Sequence, residues 1–559
     1  MASLAAHVSL DDFLKVQYDY VIVGGGTSGL VLAARLTENP NVTVGVVEAG
    51  KLRVDDENKH NHNRIHHVVR GKFVGGSSGI NYMALVSPPS EDIDAWGQHA
   101  SGWSWSALEP YYRKSQTLQP DRSTEERPSY FRLEPKLQGD SGPIQTSWAP
   151  SIVPIERNLI VALNEASNTE PPRDPYSGDH LGMAQHLFTL DRRAGIPSRS
   201  YATSGDFVPY AHRPNLKLLT EASVVKILLD NKDSSVEATG SPRLLELSGI
   251  GNPEILRAAG VECVVDLPEV GENLTEHSMS SLSYELAPGP ENITLDSLFL
   301  DRTVFQEQLQ RLMASHDGLM AGAFRTGISA PGKTQREPHE RVKTLIASPS
   351  APSIELISLP GYVDLEAGHK NQSKIMPGAP AGHNACYTTM VSAMYPLARG
   401  NTHIERSESA VEEGKEPFAT QPRIDMDILS HEADVDAIAA GLAVADRAYK
   451  SESVSGRFVG RLAPPPEVDL QDPEQARDYV RRQVMIFNHN SGTCAMGRVV
   501  DERLPVKNVS GLRVVDVSVI PDTISANPMA TVYALAEKAA DMIKEDSPLF
   551  TSHEAGNGE

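Results

Sequence analysis

A short unit near the N-terminus constrains the fold more than any other feature. Residues 18–23 alternate aromatic and β-branched side chains, then GGGTSG (24–29) leads into small and apolar residues at helical spacing. Asn39-Pro40 ends this helix, and residues 42–47 form a second apolar, strand-like run that stops at Glu48. Period-two segments flanking a glycine turn and a helix predict a strand-helix-strand unit.

The glycines of this turn match the GxGxxG pattern of dinucleotide-binding units. Its three glycines serve a tight turn, close approach of backbone to a pyrophosphate, and packing of helix against strand. The helix N-terminus favours a diphosphate. An acidic residue about twenty positions further on suits a ribose hydroxyl. The candidate cofactor-binding residues are Gly24, Gly26, Thr27, Ser28, Gly29 and Glu48.

Length and charge limit the alternatives. At 559 residues the chain exceeds what one hydrophobic core usually supports, so two domains are expected. Its formal charge of -22 disfavours nucleic acid as a partner, because binding phosphate backbones requires clustered Lys and Arg.

No metal site is predicted. The three cysteines, Cys263, Cys386 and Cys494, are far apart and form no CxxC pair. The histidines between positions 60 and 67 have no usual ligand spacing. These histidines are His60, His62, His66 and His67.

The first 17 residues have no basic start and no continuous apolar stretch. No apolar run reaches the roughly 20 residues that cross a bilayer. The sequence therefore predicts a soluble, cytoplasmic protein without a secretion signal or a membrane partner.

Periodicity predicts several further elements. The predicted helices are 106–115, 158–166, 242–248, 434–450 and 530–543, and the predicted strand is 216–229.

A second glycine-rich loop spans residues 70–81 and reads RGKFVGGSSGIN. Here the sequence resembles the glucose-methanol-choline (GMC) oxidoreductases, in which a GGSSxxN motif follows the strand-helix-strand unit and packs along FAD. Gly75, Gly76, Ser77 and Asn81 match that motif. The resemblance continues, in family order, at 241–251, 268–277, 487–497 and 511–543, and is poor over 290–420.

The resemblance implies an α/β fold, in which an α+β substrate-binding domain with an antiparallel sheet and helices is inserted into a Rossmann-like FAD-binding domain. The FAD-binding domain is expected to be discontinuous. Its expected segments are 17–150, 210–285 and 498–548, and those of the substrate-binding domain are 151–209 and 286–497.

The resemblance also implies the chemistry, which is oxidation of a small-molecule alcohol to a carbonyl with oxygen or another electron acceptor. A histidine in a loop such as HNSGTCAMG is usually structural. In the family, however, the residue matching His489 is the base toward the substrate hydroxyl. Asn527 matches the position opposite this base, where its amide orients the substrate oxygen.

Further positions are carried over from the family. Ile80 stands where members with covalently attached FAD have histidine, so non-covalent FAD is expected. Asp516 and Val517 match a segment along the flavin and ribityl chain, with a buried strand end as the alternative. Val224 matches a strand residue beside adenine, although an ordinary strand valine fits equally well.

The chain departs from the family pattern in two places. The stretch between Gly50 and Arg70 is short, and a hairpin with a further strand is missing between Asp230 and Ser241. Three explanations of the missing strand are open. Another segment substitutes for it, or the enzyme has degenerated, or the chain comes from a misjudged gene model. No secretion signal is predicted, and residues 290–420 match the family poorly. Both observations favour a specialised role such as tailoring a natural product.

Two other functions stay open. One is flavin-dependent chemistry without net oxidation, such as the cyanohydrin lyase reaction known among relatives. The other is a non-catalytic protein that has lost the cofactor. The joint presence of Gly24, Glu48, His489 and Asn527 argues against this last alternative.

Overall fold

The computed structural model describes most of the chain, and every statement below concerns these residues. They are 4–51, 69–120, 131, 133–149, 153–179, 181–229, 240–321, 326–330 (main chain only), 353–406 and 422–551. The histidines at 60, 62, 66 and 67 and most of both shortened segments lie outside the described residues.

The described helices and strands are numbered in chain order. The helices are α1 Leu10–Phe13, α2 Thr27–Leu36, α3 Ser90–Trp96, α4 Trp105–Ser115, α5 Pro154–Ser167, α6 Ser241–Leu247, α7 Pro253–Ala259, α8 Ser297–Leu300, α9 Arg302–Ser315, α10 Leu365–Lys370, α11 Glu432–Tyr449, α12 Pro473–Arg482, α13 Met529–Asp546 and α14 Pro548–Thr551. The strands are β1 Tyr20–Val23, β2 Val44–Val47, β3 Ala84–Leu85, β4 Gln116–Leu118, β5 Ile144–Thr146, β6 Gly182–Gln185, β7 Leu187–Phe188, β8 Leu190–Asp191, β9 Ser198–Arg199, β10 Leu216–Leu219, β11 Ile250–Gly251, β12 Val265–Asp266, β13 Ser278–Leu286, β14 Thr326–Ala330, β15 Ile354–Leu359, β16 Cys386–Ala393, β17 Asn401–His403, β18 Arg423–Asp425, β19 Phe458–Ala463 and β20 Met485–Ile486.

The five predicted helices are all present, with ends within a few residues of the predicted ones. They correspond to α4, α5, α6, α11 and α13. No helix in the described part of the chain is long and apolar enough to cross a membrane.

The N-terminal strand-helix-strand unit forms as the glycine turn predicts. Strands β1, β2 and β10 make a parallel sheet with β2 in the centre, and α2 makes the crossover from β1 to β2. The outer edge of β10 is covered by the N-terminal segment, because the amide of Leu218 donates to the carbonyl of Ala6 at 2.7 Å. Among the described residues no strand pairs with the outer edge of β1.

The prediction of one strand over residues 216–229 is wrong in its extent. The strand ends at Leu219, because Glu221 adopts a φ of 56°, outside the extended region. The amides of Glu221 and Ala222 then donate to the carbonyls of Gly50 (3.0 Å) and Glu48 (3.1 Å). The chain therefore turns toward the tip of β2, and Val224 lies in a loop instead of a strand.

A second, antiparallel sheet has seven strands. Its order is β19-β13-β16-β15-β14-β6, and β20 also pairs with β13. One of its faces packs against α5 and α11 in a separate hydrophobic core. Residues 278–285, which the predicted division assigns to the FAD-binding domain, belong to β13 of this sheet. The division into two domains stays a prediction.

Helices α2 and α13 are joined by an ion pair. The Arg35 guanidinium donates to both carboxylate oxygens of Glu537 at 2.7 to 3.0 Å, and Lys114 lies 3.3 Å from the same carboxylate. The Glu537 side chain is fully buried. A buried carboxylate without its main partner is costly, so this pair ties α2 to α13.

We therefore expect Arg35→Met to lower the free energy of unfolding by about 3 kcal/mol, because it leaves the buried Glu537 with Lys114 alone. The control is Lys15→Met, which breaks an exposed ion pair with Asp12 and should cost less than about 1 kcal/mol. Urea unfolding of both variants measures the difference. Equal losses would show that the buried pair contributes no more than an exposed one.

Candidate active site

The first glycine turn is built for close backbone contact. Gly24 has a φ of 105°, and its amide donates to the Val47 carbonyl at 2.8 Å. A Cβ on Gly29 would lie 2.1 Å from the Gly24 carbonyl oxygen, so α2 packs directly on the turn. Gly26 is the N-cap of α2 and provides no side-chain cap. The amides of Ser28 and Gly29, the second and third residues of α2, therefore lack the usual side-chain acceptor at the N-cap.

Glu48 lies at the tip of β2, directly beside this turn. Its carboxylate accepts the amide protons of Gly25 (2.8 Å) and Gly50 (2.7 Å), and the residue is buried. Burial raises the pKa of Glu48, while the two amide donors partly offset that rise. Glu48 thus stabilises the conformation of the glycine turn in addition to any contact with a ligand.

The second glycine loop touches the first. The Gly75 amide donates to the Gly25 carbonyl at 2.7 Å, and a Cβ on Gly76 would lie 3.0 Å from the Gly26 Cα. The Ser77 hydroxyl accepts the amide proton of Gly71 within the same loop. The two loops are therefore in direct contact beside the α2 N-terminus.

Asn81 connects the second loop to other parts of the site. Its side-chain oxygen accepts from Arg199 (2.8 Å) and from the Met83 amide (3.0 Å). Its amide nitrogen lies 2.8 Å from the Met529 sulfur at the start of α13. Sequence reasoning missed Arg199, because nothing in its own neighbourhood resembles a motif.

His489 owes its position to an irregular antiparallel ribbon. Ser278 pairs with Ile486, and Thr275 pairs with Ser491. Between these pairs, four residues (487–490) lie opposite two (276 and 277). The two extra residues bend the longer strand, as the extra residue of a β-bulge does, and Asn488 adopts a φ of 62° in this bend. The bulge carries the His489 side chain.

The His489 ring has a polar contact at each nitrogen. Its Nδ1 lies 2.8 Å from Nδ1 of His277, and its Nε2 lies 3.0 Å from Nδ2 of Asn527. The Phe487 ring stacks on it with centroids 4.3 Å apart. His489 is half-buried, whereas His277 and Asn527 are buried. The two predicted catalytic residues are thus in contact, 38 positions apart in sequence.

Burial dominates the electrostatics beside His489. The Glu276 carboxylate accepts the amide protons of His489 (2.8 Å) and Phe487 (3.2 Å), yet burial raises the pKa of Glu276 to about 7. Burial lowers the pKa of His277 to about 4. His277 is therefore neutral at neutral pH. Glu276 and His277 were missed as site residues, although both lie in the PEVGENLTEH segment that resembles the family.

Arg70 joins the second glycine loop to the segment of His489. Its guanidinium donates to the Asn488 carbonyl at 3.0 Å and to the Asn490 side-chain oxygen at 2.8 Å. The glycine loops and the His489 bulge therefore belong to one connected site.

Asp516 and Val517 do not end a strand. Asp516 caps a 3-10 turn over Val517–Val519 by accepting the Ser518 amide proton at 2.8 Å. Its second oxygen accepts from the Ser241 hydroxyl at 2.6 Å. Val224 is half-buried in the loop beside Glu48. The alternative of a strand valine is excluded by the loop conformation there.

Comparisons with known proteins indicate the family of the chain. Family models described as GMC oxidoreductase match residues 18–239 and 406–536. The chain is 39% identical to "Dehydrogenase mpl7" of Monascus purpureus over 97% of this chain and 98% of the relative. It is 29% identical to "Oxygen-dependent choline dehydrogenase" of Escherichia coli over 96% of this chain and 98% of the relative. The solved structure of an FAD-dependent oxidoreductase from Chaetomium thermophilum superposes with a TM-score of 0.76 at 27% identity, covering 95% of this chain and 99% of that one.

The alignment with the Monascus relative contains gaps. It spans 626 positions, more than the 559 residues of this chain. Some positions of the relative therefore lack counterparts in this chain.

The raised pKa of Glu276 makes a pH-dependent prediction. Because the folded protein holds this proton up to about pH 7 whereas an unfolded glutamate loses it near 4.5, Glu276 costs stability as pH rises through this range. The cost by pH 7.5 is about 3 kcal/mol. Glu276→Gln keeps an acceptor for both amides and removes the titration.

The measurement is the difference in free energy of unfolding between the wild type and Glu276→Gln at pH 4.5 and pH 7.5. Taking this difference removes the opposite contribution of His277, whose lowered pKa makes stability rise with pH between about 4 and 6.5. The variant should gain relative to the wild type as pH rises. A constant difference would contradict the raised pKa.

Proposed function

The chain belongs to the GMC oxidoreductase family, and we propose that it oxidises an alcohol to a carbonyl with FAD as cofactor and His489 as the base. The observation that carries the proposal is the contact between His489 Nε2 and the Asn527 amide at 3.0 Å. One group accepts a proton and the other donates a hydrogen bond, which is what a hydroxyl group needs in order to lose its proton in a fixed orientation.

The chain's own groups divide this work. His489 Nε2 accepts the hydroxyl proton, and Asn527 donates to the substrate oxygen. The Phe487 ring on the face of His489 limits the rotation of the imidazole. Loss of the hydroxyl proton makes the adjacent C–H bond a better hydride donor, and FAD, when bound, supplies the hydride acceptor.

The residues present fit FAD. The α2 N-terminus has no side-chain cap, and the adjoining glycines leave bare backbone where a Cβ would collide. Such a site suits a pyrophosphate, and Glu48 lies at the strand tip where a ribose hydroxyl is bound in dinucleotide sites. The residues proposed to hold FAD are Gly24, Gly26, Thr27, Ser28, Gly29, Glu48, Gly75, Gly76, Ser77, Asn81, Val224, Asp516 and Val517.

We propose that the FAD is held without a covalent bond. Ile80 ends the 3-10 turn Gly76–Gly79 of the second loop and carries no nucleophilic atom. Acid precipitation should therefore release all the flavin into the supernatant. Flavin absorbance that stays with the pellet would contradict this part of the proposal.

Two experiments identify the substrate and the electron acceptor. A panel of alcohols is added anaerobically to the flavin-loaded protein, and bleaching of the flavin absorbance identifies the substrates. Mixing the reduced protein with oxygen then separates an oxidase from a dehydrogenase. The tailoring of a natural product is supported by sequence reasoning alone, and bleaching by complex secondary alcohols but not by sugars would support it.

Two outcomes would replace the proposal. Flavin that stays oxidised while a substrate is converted would indicate chemistry without net oxidation, such as a lyase reaction. Folded protein that takes up no FAD would indicate a non-catalytic member of the family.

Gly29→Ala tests the cofactor site. Because a Cβ there would lie 2.1 Å from the Gly24 carbonyl oxygen, the start of α2 must move, and we expect FAD content to fall at least tenfold. The control is Gly460→Ala in β19, where a Cβ meets nothing within 4 Å. Flavin absorbance per protein and far-ultraviolet circular dichroism measure the two effects. Full FAD content in Gly29→Ala would refute the site.

His489→Ala tests the base. General-base catalysis typically contributes about 10²- to 10⁴-fold, so the rate of flavin reduction by an alcohol should fall by that factor while FAD content stays unchanged. Stopped-flow reduction under anaerobic conditions measures the rate. Near-normal reduction in this variant would refute the role of His489.

A further inference from the structure

The ring of the proposed base, His489, contacts a second histidine ring through the same type of nitrogen, Nδ1, on both rings. Nδ1 of His277 and Nδ1 of His489 are 2.8 Å apart, and the rings are nearly perpendicular at 82°. A hydrogen bond at this distance needs a proton on one nitrogen and a lone pair on the other. The direction of this bond determines which nitrogen of His489 is free to act as a base.

The Asn527 side indicates one direction. Its Nδ2 is a donor and lies 3.0 Å from His489 Nε2, which must then carry a lone pair. A neutral imidazole with a lone pair on Nε2 carries its proton on Nδ1. His489 is therefore the donor and His277 the acceptor.

The His277 side indicates the same direction independently of the orientation of the Asn527 amide. The backbone carbonyls of Met394 and Ile524, which can only accept, raise the pKa of the His277 ring against the larger effect of burial. Its Nε2 is buried, and no group among the described residues forms a hydrogen bond with it. A proton on Nε2 is attracted to these carbonyl oxygens, and it leaves Nδ1 with its lone pair. Burial, which lowers the pKa of His277, keeps the ring neutral.

We propose that His277 is a positioning residue that accepts the Nδ1 proton of His489 and holds His489 in the tautomer whose Nε2 faces Asn527. The inference rests on the proposed function of His489 as the base. His277 touches neither the substrate oxygen nor Asn527 in this role, and acts only through His489.

The hydrogen bond from His489 to His277 persists after His489 takes up the substrate proton. Once Nε2 of His489 takes the hydroxyl proton, both nitrogens are donors, and the neutral His277 still accepts from Nδ1. The charged groups that adjoin this pair are Glu276, which accepts the His489 amide proton, and Arg70, which contacts the residues flanking His489. A negatively charged Glu276 favours the imidazolium, and Arg70 opposes it.

The test compares His277→Asn with His277→Leu. The side-chain oxygen of Asn lies where Nδ1 of histidine does and accepts from His489, whereas Leu fills space without accepting. We expect His277→Asn to reduce flavin within about tenfold of the wild-type rate. His277→Leu should lose at least 100-fold in the limiting rate of reduction, with little change in the substrate concentration for half-maximal rate.

The tautomer is measured directly by ¹⁵N NMR of the flavin-loaded protein with labelled histidines, with His489→Ala assigning the signals. In the wild type at pH 7.5, His489 should carry its proton on Nδ1. Protonation on Nε2 would overturn the inference, whether or not His277→Leu folds. In His277→Leu, the signals should shift toward the Nε2-protonated form.

The outcomes separate this inference from the proposed function. If His489→Ala reduces flavin normally, the proposed function fails. If His489→Ala is impaired but His277→Leu and His277→Asn have equal rates and equal flavin content, only the role of His277 fails.

Discussion

The site depends on the pairing of residues 275–278 with 486–491. This ribbon continues the antiparallel sheet through β13 and β20, and it ends beside the glycine loops of the parallel sheet. It joins segments about 210 positions apart, as the contact between His277 and His489 shows. Backbone hydrogen bonds on both sides hold the bulge that carries His489, between Thr275 and Ser491 at one end and from the Phe487 amide to the His277 carbonyl at the other.

Burial beside this ribbon shifts the pKa values of two consecutive residues, Glu276 and His277, in opposite directions. Removal from water disfavours charge, so it keeps Glu276 protonated to higher pH and His277 neutral to lower pH. A neutral histidine suits an acceptor for a neighbouring imidazole N–H. The proposed cofactor site and the proposed base are also linked through the protein, since Arg70 and Asn81 connect the second glycine loop to the His489 segment and to the start of α13.

The local elements were largely predictable, and their limits show where local signals end. Helices α11 and α13 and the glycine turn follow from periodicity and from the backbone freedom of glycine. The strand at 216–229 was predicted too long, because Glu221 leaves the extended region to donate to the Gly50 carbonyl. Nothing in the apolar run around it signals that turn. The pairing of residues 278–285 with β16 was not predicted, since a strand's neighbours depend on distant chain segments.

The sequence by itself determined the strand-helix-strand unit and the positions of the glycines, and it indicated His489 and Asn527 as candidate catalytic residues, because these features depend on local spacing and on motifs. Only the tertiary structure decided that His489 lies between His277 and Asn527, and that the N-terminal segment covers the edge of β10. The orientation of an imidazole depends on which donors and acceptors surround it, and long-range strand pairing brings those groups together.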